Sequence, residues 1–197
     1  LFFSHVPMLC NKFSEKIYKG RGIILGIFAI SLLLLPPNQS TISVSAFILL
    51  ICGICLRIAA RRNMGIHSRS STIEAPKLVQ EGMYKKIRHP LYLSNGFIAS
   101  GFLLLHLGWQ TITFPIAAFL WLFLFFLAHN EDLFLHQKFG SVWENWAKQT
   151  PFMFPSLKGI RNLNFERGIF EAFSEDFWTW FFLILYLALI FVRRIFF

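Results

Sequence analysis

The chain has 197 residues, of which 55% are apolar and only 15% charged, with 25 phenylalanines; that composition excludes an ordinary soluble domain, and the length suits a single one. The formal net charge is +9, but the basic residues sit in blocks between long uncharged runs. A membrane protein distributes charge in this way, so no nucleic-acid partner is needed to explain the basicity.

Residues 1–10, LFFSHVPMLC, lack a basic region leading a clean apolar core with a small-residue cleavage site, so no signal peptide is expected. A helix needs about 20 residues to cross the hydrocarbon core. The first apolar run, 22–35, is stopped by Pro36 and Pro37, and the second, 41–56, ends at Arg57. The CGIC stretch at Cys52 and Cys55 lies inside this second run, far from Cys10; it reads as small residues packing a lipid-embedded helix. The third and fourth runs, 91–109 and 112–128, are joined by so little that they must form a tight antiparallel hairpin. The fifth run is 177–192. The expected fold is an all-α integral membrane protein with about five transmembrane helices.

Charge then assigns sides. Lys12, Lys16, Lys19 and Arg21 precede the first span, and Arg57, Arg61, Arg62, Arg69, Lys77, Lys85, Lys86 and Arg88 separate the second from the third. The linkers 36–40 and 110–111 carry no charge. Alternating spans put every charged segment on one face, which the positive-inside rule makes cytoplasmic. Arg193 and Arg194 contradict the rule if the fifth run crosses; a helix lying along the bilayer surface is the alternative.

The hairpin brings the stretch before span three and the stretch after span four to that same face. Pro90 suits the first helical position, which leaves His89 near the cap. The first-turn N–H groups then form a natural site for a carboxylate or phosphate. Arg88 precedes them, and Tyr92 and Asn95 share one helix face. After span four come Glu131 and Asp132; if the helix continues, Asp132 and His136 form an i,i+4 pair. His129 and His136 do not fit an H-E-x-x-H zinc pattern, so no metal is expected. Trp143 and Trp146 fall on one side of a short helix, as interfacial aromatics would, and Pro151 and Pro155 break the chain beyond it. A cation-rich helix start facing paired acids suits a zwitterionic ligand. Its carboxylate would go to the N–H groups and His89, and its ammonium or sulfonium to Glu131.

The segment LVQEGMYKKIRHPLYLS (78–94), followed in order by Glu131-Asp132, Phe139-Gly140, Trp143, Trp146, Pro151 and Pro155, resembles the pattern of the membrane methyltransferases typified by isoprenylcysteine carboxyl methyltransferase, with the phospholipid N-methyltransferases as relatives. The likeness covers residues 57–156, about half of the chain. It implies an S-adenosylmethionine site at the cytoplasmic face, reached laterally by a lipid or lipid-modified substrate. Carried over by position, the cofactor contacts are Lys77, Leu78, Val79, Tyr84, His89, Pro90, Leu91, Tyr92 and Glu131, with Leu78 and Val79 beside the adenine and Arg88 and Glu131 as catalytic residues. The resemblance also divides the chain into N-terminal spans (1–56), a methyltransferase core (57–156) and a C-terminal extension (157–197). Ser94 stands where the motif usually has Gly, and Asp132 replaces a second Glu. Leu127 stands where prenylcysteine-carboxylate methyltransferases carry an Arg, a cation that His129, Arg88 or Arg69 would have to replace. Two alternatives remain at this point: an NADPH-dependent sterol or steroid reductase, whose C-terminal half carries a similar R-H-P-x-Y segment, and a non-catalytic membrane scaffold.

Overall fold

In a computed structural model the described residues are 9–38, 43–64, 77–155 and 164–196. They form α1 (Leu9–Leu34), α2 (Val44–Arg61), a 3-10 turn (Gly82–Lys85), α3 (Pro90–Leu107), α4 (Thr113–Phe139), α5 (Ser141–Gln149), α6 (Ile169–Ser174) and α7 (Phe177–Phe196). Five of these are long and apolar enough to cross a membrane: α1 over Lys16–Leu34, and α2, α3, α4 and α7 over their full lengths. Arg69 and residues 1–8, on which the expectation of no signal peptide falls, lie outside the described residues.

The expected spans are all present, but four run further than the apolar pattern does; α7 reaches Phe196, past the expected end at residue 192. α1 begins at Leu9, α2 continues through Arg57 to Arg61, and α4 continues past Ala128 to Phe139. Hydropathy marks where the hydrocarbon ends, whereas the backbone ladder continues into the polar zone wherever no Pro or Gly interrupts it. α4 stops at Gly140, with φ 51°, and α3 stops at Gly108, with φ 63°. That left-handed residue, free of Cβ strain, lets the chain reverse within a few residues into α4.

α3 is the central helix: 72% of its span is buried, against 11% for α1 and for α7. Lipid tails are as apolar as leucine, so close packing rather than the hydrophobic effect must hold the helices together. α2 and α3 form the most intimate pair, and glycines make the approach possible. A Cβ on Gly53 would come within 2.7 Å of Ile98 Cγ1 and 3.0 Å of the Ser94 carbonyl oxygen. One on Gly101 would come within 2.7 Å of Leu50 Cγ and 2.9 Å of the Ala46 carbonyl oxygen. Ser94 is fully buried in this contact, so the departure from Gly is accommodated between α2 and α3. Cys52 and Cys55 are exposed, so they face lipid instead of packing against a neighbouring helix.

α7 packs against α1 and α3, with Ile190 in the same cluster as Ala46, Leu50 and Phe102. Its far end is tied down by the two arginines. Arg193 Nη2 donates to the Leu35 carbonyl (3.3 Å) and Arg194 Nη1 to the Leu105 carbonyl (2.7 Å). His106 Nε2 also donates to Leu35 O, at 2.9 Å. These acceptors lie at the C-terminal ends of α1 and α3, where unpaired carbonyls and the helix dipole favour a cation. α7 therefore runs parallel to α1 and α3, the course that a spanning helix would take, and its terminal arginines have specific partners at that end.

Candidate functional site

The polar ends of five helices converge opposite that face: the start of α1, the end of α2, the start of α3, the second half of α4 and the start of α7. They enclose a cavity of about 1240 Å3. All ten residues that the resemblance assigns to catalysis or to the cofactor line it: Lys77, Leu78, Val79, Tyr84, Arg88, His89, Pro90, Leu91, Tyr92 and Glu131. The hairpin and the segment after it are only part of the wall. Tyr18, Arg21 and Gly22 of α1 and Thr179, Leu183 and Tyr186 of α7 also contribute, so α7 forms part of the cavity wall and is more than an appendage.

Local sequence explains how α3 presents its first turn. His89 is the N-cap residue, with φ −124° and ψ 60°, and Pro90 takes the first helical position. The preceding residue is anchored by Arg88 N donating to Pro151 O at 2.9 Å. Between Pro151 and Pro155 the chain folds back over this junction, with Met153 buried and the Phe152 ring edge-on to His89 at 5.1 Å.

The two acids after α4's apolar run have different tasks. Asp132 is buried; its Oδ2 lies 2.6 Å from Arg88 Nη1, and its Oδ1 accepts from His89 Nε2 at 2.8 Å. The expected partnership between Asp132 and His136 does not form, because α4 turns the two toward different neighbours. His136 Nε2 donates instead to Glu144 of α5 at 2.9 Å, and that hydrogen bond holds the exposed Glu144 carboxyl below its ordinary value. Glu131 faces the cavity and accepts from the Tyr92 hydroxyl at 2.9 Å. The Tyr18 hydroxyl adjoins both Tyr92 and Glu131, and Arg21 stacks on the Tyr18 ring at 3.9 Å. His89 and Glu131 therefore share one cavity, but it is Asp132 that His89 grips.

Leu78, Val79 and Leu91 pack with Ala60, Tyr84 and Trp146 in an apolar cluster beside this charged end. Trp146 Nε1 donates to the Tyr84 carbonyl at 3.1 Å. Trp146 is buried and lines the cavity, so it braces the site instead of serving as an interfacial anchor; Trp143 stacks near His136, with its ring 5.4 Å from the Arg88 guanidinium. Burial, with the Glu131 charge adding to it, pushes the Tyr84 phenol far above its ordinary value and keeps it neutral. Lys77 is exposed at the rim, 3.2 Å from Glu166. His129 is exposed on the outside of α4, away from the cavity. Leu127 is buried in the cavity wall, so no cation enters from that position.

Sequence reading missed the cluster around Asp176. That acid is fully buried and receives Arg57 Nε at 2.7 Å and Arg61 Nη2 at 2.8 Å. Burial alone would raise its pKa, but the two guanidiniums outweigh that and hold the carboxyl below its ordinary value. Arg57 also donates to Asn95 Oδ1 at 2.7 Å and Thr179 Oγ1 at 3.2 Å. The available signal was the helical spacing of Arg57 and Arg61 on an apolar span, which puts both on one face. Among the described residues, no three of His, Cys, Asp and Glu gather as a metal ion would require.

The profile of one protein family, described as phospholipid methyltransferase, matches residues 41–142, just over half of the 197-residue chain. The match covers α2, α3 and α4 and ends at the start of α5, leaving α1 and α7 outside it. No curated protein and no solved structure matches the chain at a significant level.

Proposed function

The chain belongs to the phospholipid methyltransferase family of integral membrane enzymes, and from that premise we propose that it transfers a methyl group from S-adenosylmethionine to a lipid-borne acceptor at the cytoplasmic face. The observation that carries this reading is the single cavity lined by all ten residues, from Lys77 to Glu131, that the sequence pattern selects. Positive charge on the segments flanking that end supports the cytoplasmic assignment.

The residues present fit the cofactor. Arg88 Nε is buried in the cavity wall without a partner among the described residues, a donor that an oxyanion would satisfy. The Arg88–His89 pair is assigned the amino-acid carboxylate, and Glu131, braced by Tyr92, the ammonium. Leu78, Val79, Leu91 and Trp146 offer an apolar slot for the adenine. When bound, S-adenosylmethionine supplies an electrophilic methyl on a cationic sulfur, and the bond pair stays with sulfur as the methyl leaves. Asp132 keeps Arg88 and His89 in register without entering the cavity itself. Leu120, Leu124 and Leu127 keep the inner wall dry, which favours a displacement that neutralises charge. An amine or hydroxyl acceptor would have to pass a proton to a base, whereas a carboxylate acceptor would need none.

The test is thermal stabilisation of the detergent-solubilised protein. S-adenosylhomocysteine at about 100 times its Kd should stabilise the parent by about 2.7 kcal/mol. Glu131→Ala and His89→Ala proteins that still fold should lose most of that effect. Stabilisation by NADPH instead would establish the reductase, and silence toward both ligands would leave the scaffold.

A further inference from the structure

The assigned donor site leaves one charged cluster of the cavity without a task. One turn along α3 from Tyr92, Asn95 accepts from Arg57, and Arg57 and Arg61 share the buried Asp176 carboxylate of the α6–α7 junction. Like charges four residues apart on a helix repel, and charges taken out of water are costly unless paired. Asp176 offsets both effects and holds the two guanidiniums in place. Arg57, Arg61, Asn95 and Thr179 line the cavity, with Asp176 buried behind them.

The hydrogen-bond inventory of Arg57 is specific. A guanidinium carries five N–H groups, one on Nε and two on each terminal nitrogen. Asp176 takes the Nε group, Asn95 one on Nη1 and Thr179 one on Nη2. Among the described residues, this leaves one N–H on each terminal nitrogen, the fork that accepts two oxygens of a phosphate or carboxylate. Tyr92 and Asn95 are three residues apart, so this fork lies ~4.5 Å along α3 from the turn that braces Glu131. The cavity of about 1240 Å3 is larger than the usual ~300–1,000 Å3 of a pocket for one small ligand. Beyond the fork the wall turns apolar, with Phe102, Leu183, Tyr186 and Leu189.

We propose that Arg57, held in place by Asp176 beside Arg61, forms the subsite for the phosphate group of a phospholipid acceptor, whose acyl chains lie along α7. This deepens the proposed methyl transfer and rests on it for the statement that the bound lipid is the acceptor. Asp176 is a positioning residue supplied from outside the family-matched segment.

The experiment uses the full chain in detergent and three probes: dihexanoyl phosphatidic acid, dihexanoylglycerol with the same chains and no phosphate, and inorganic phosphate. Phosphatidic acid should raise the melting midpoint well above the effect of either other probe. Arg57→Lys keeps the charge but loses the fork. Asn95→Asp is nearly isosteric and sets a carboxylate beside Arg57. Each should weaken phosphatidic acid roughly tenfold or more, with S-adenosylhomocysteine binding unchanged. Equal stabilisation by dihexanoylglycerol or by inorganic phosphate would overturn the subsite. So would loss of S-adenosylhomocysteine binding in both variants with phosphatidic acid unaffected, since the fork would then serve the donor. If S-adenosylhomocysteine fails to stabilise the parent while the lipid results hold, the methyl-transfer reading falls and the phosphate subsite stands.

Discussion

Two buried aspartates organise the charged end of the molecule, each by holding a pair of cations. Asp132 joins Arg88 to His89, and Asp176 joins Arg57 to Arg61. Neither lines the cavity itself; each fixes side chains that do. For Asp176 this has a consequence in pH. Its carboxyl lies below its ordinary value in the folded chain, whereas in the unfolded chain it titrates near ~3.9. Between those two values the unfolded state binds more protons, so stability rises with pH there. The contribution is complete at neutral pH and is lost as the pH falls below ~4 and through the folded value. Asp176→Asn should therefore lower the melting midpoint at pH 7 and flatten the acid limb of a midpoint-against-pH curve. An acid limb identical to the parent's would mean that Arg57 and Arg61 do not hold this carboxylate ionised.

At the scale of elements, the α2–α3 contact decides whether the site can form, because α2 delivers Arg57 and Arg61 to the face of α3 that carries Asn95. Gly53 and Gly101 set that distance from both sides. Gly53→Ala and Gly101→Ala should each destabilise by about 1–3 kcal/mol through overpacking. Gly26 of α1 has nothing within 4 Å of a built Cβ, so Gly26→Ala should be neutral or stabilising by up to ~1 kcal/mol. Thermal midpoints of the three proteins in detergent check the contrast; equal effects would mean that α2 and α3 are not in close contact. The hairpin that joins His89 and Glu131 in one cavity was readable because its connection is too short for any other arrangement. The clamp on Arg57 was not, because Asp176 lies 119 residues away and looks like a solvated acid before an apolar helix. Trp146 was misread for a related reason: spacing gives its side of α5, but not that Tyr84 folds onto that side.

At the scale of the whole molecule, the five candidate spans among the described residues put the start of α1 and the end of α7 at opposite ends of the bundle. The structure brings the C-terminal ends of α1, α3 and α7 together through Leu35, Leu105, Arg193 and Arg194. The opposite end gathers Tyr18, Arg57, Tyr92, Glu131 and Thr179. The arginines at 193 and 194 oppose the positive-inside rule, yet they sit where the helix carbonyls of α1 and α3 attract them. In sealed, uniformly oriented vesicles, with the native cysteines replaced by alanine, single cysteines placed at Gln110 and Lys148 should react with a membrane-impermeant maleimide from opposite sides. Both positions are exposed, so burial cannot mimic protection. A cysteine at Phe196, also exposed, should label from the Gln110 side. Labelling from the Lys148 side would lay α7 along the surface and take Thr179, Leu183 and Tyr186 out of the cavity wall. The phospholipid subsite would fall with them, because Asp176 could then no longer stand behind Arg57.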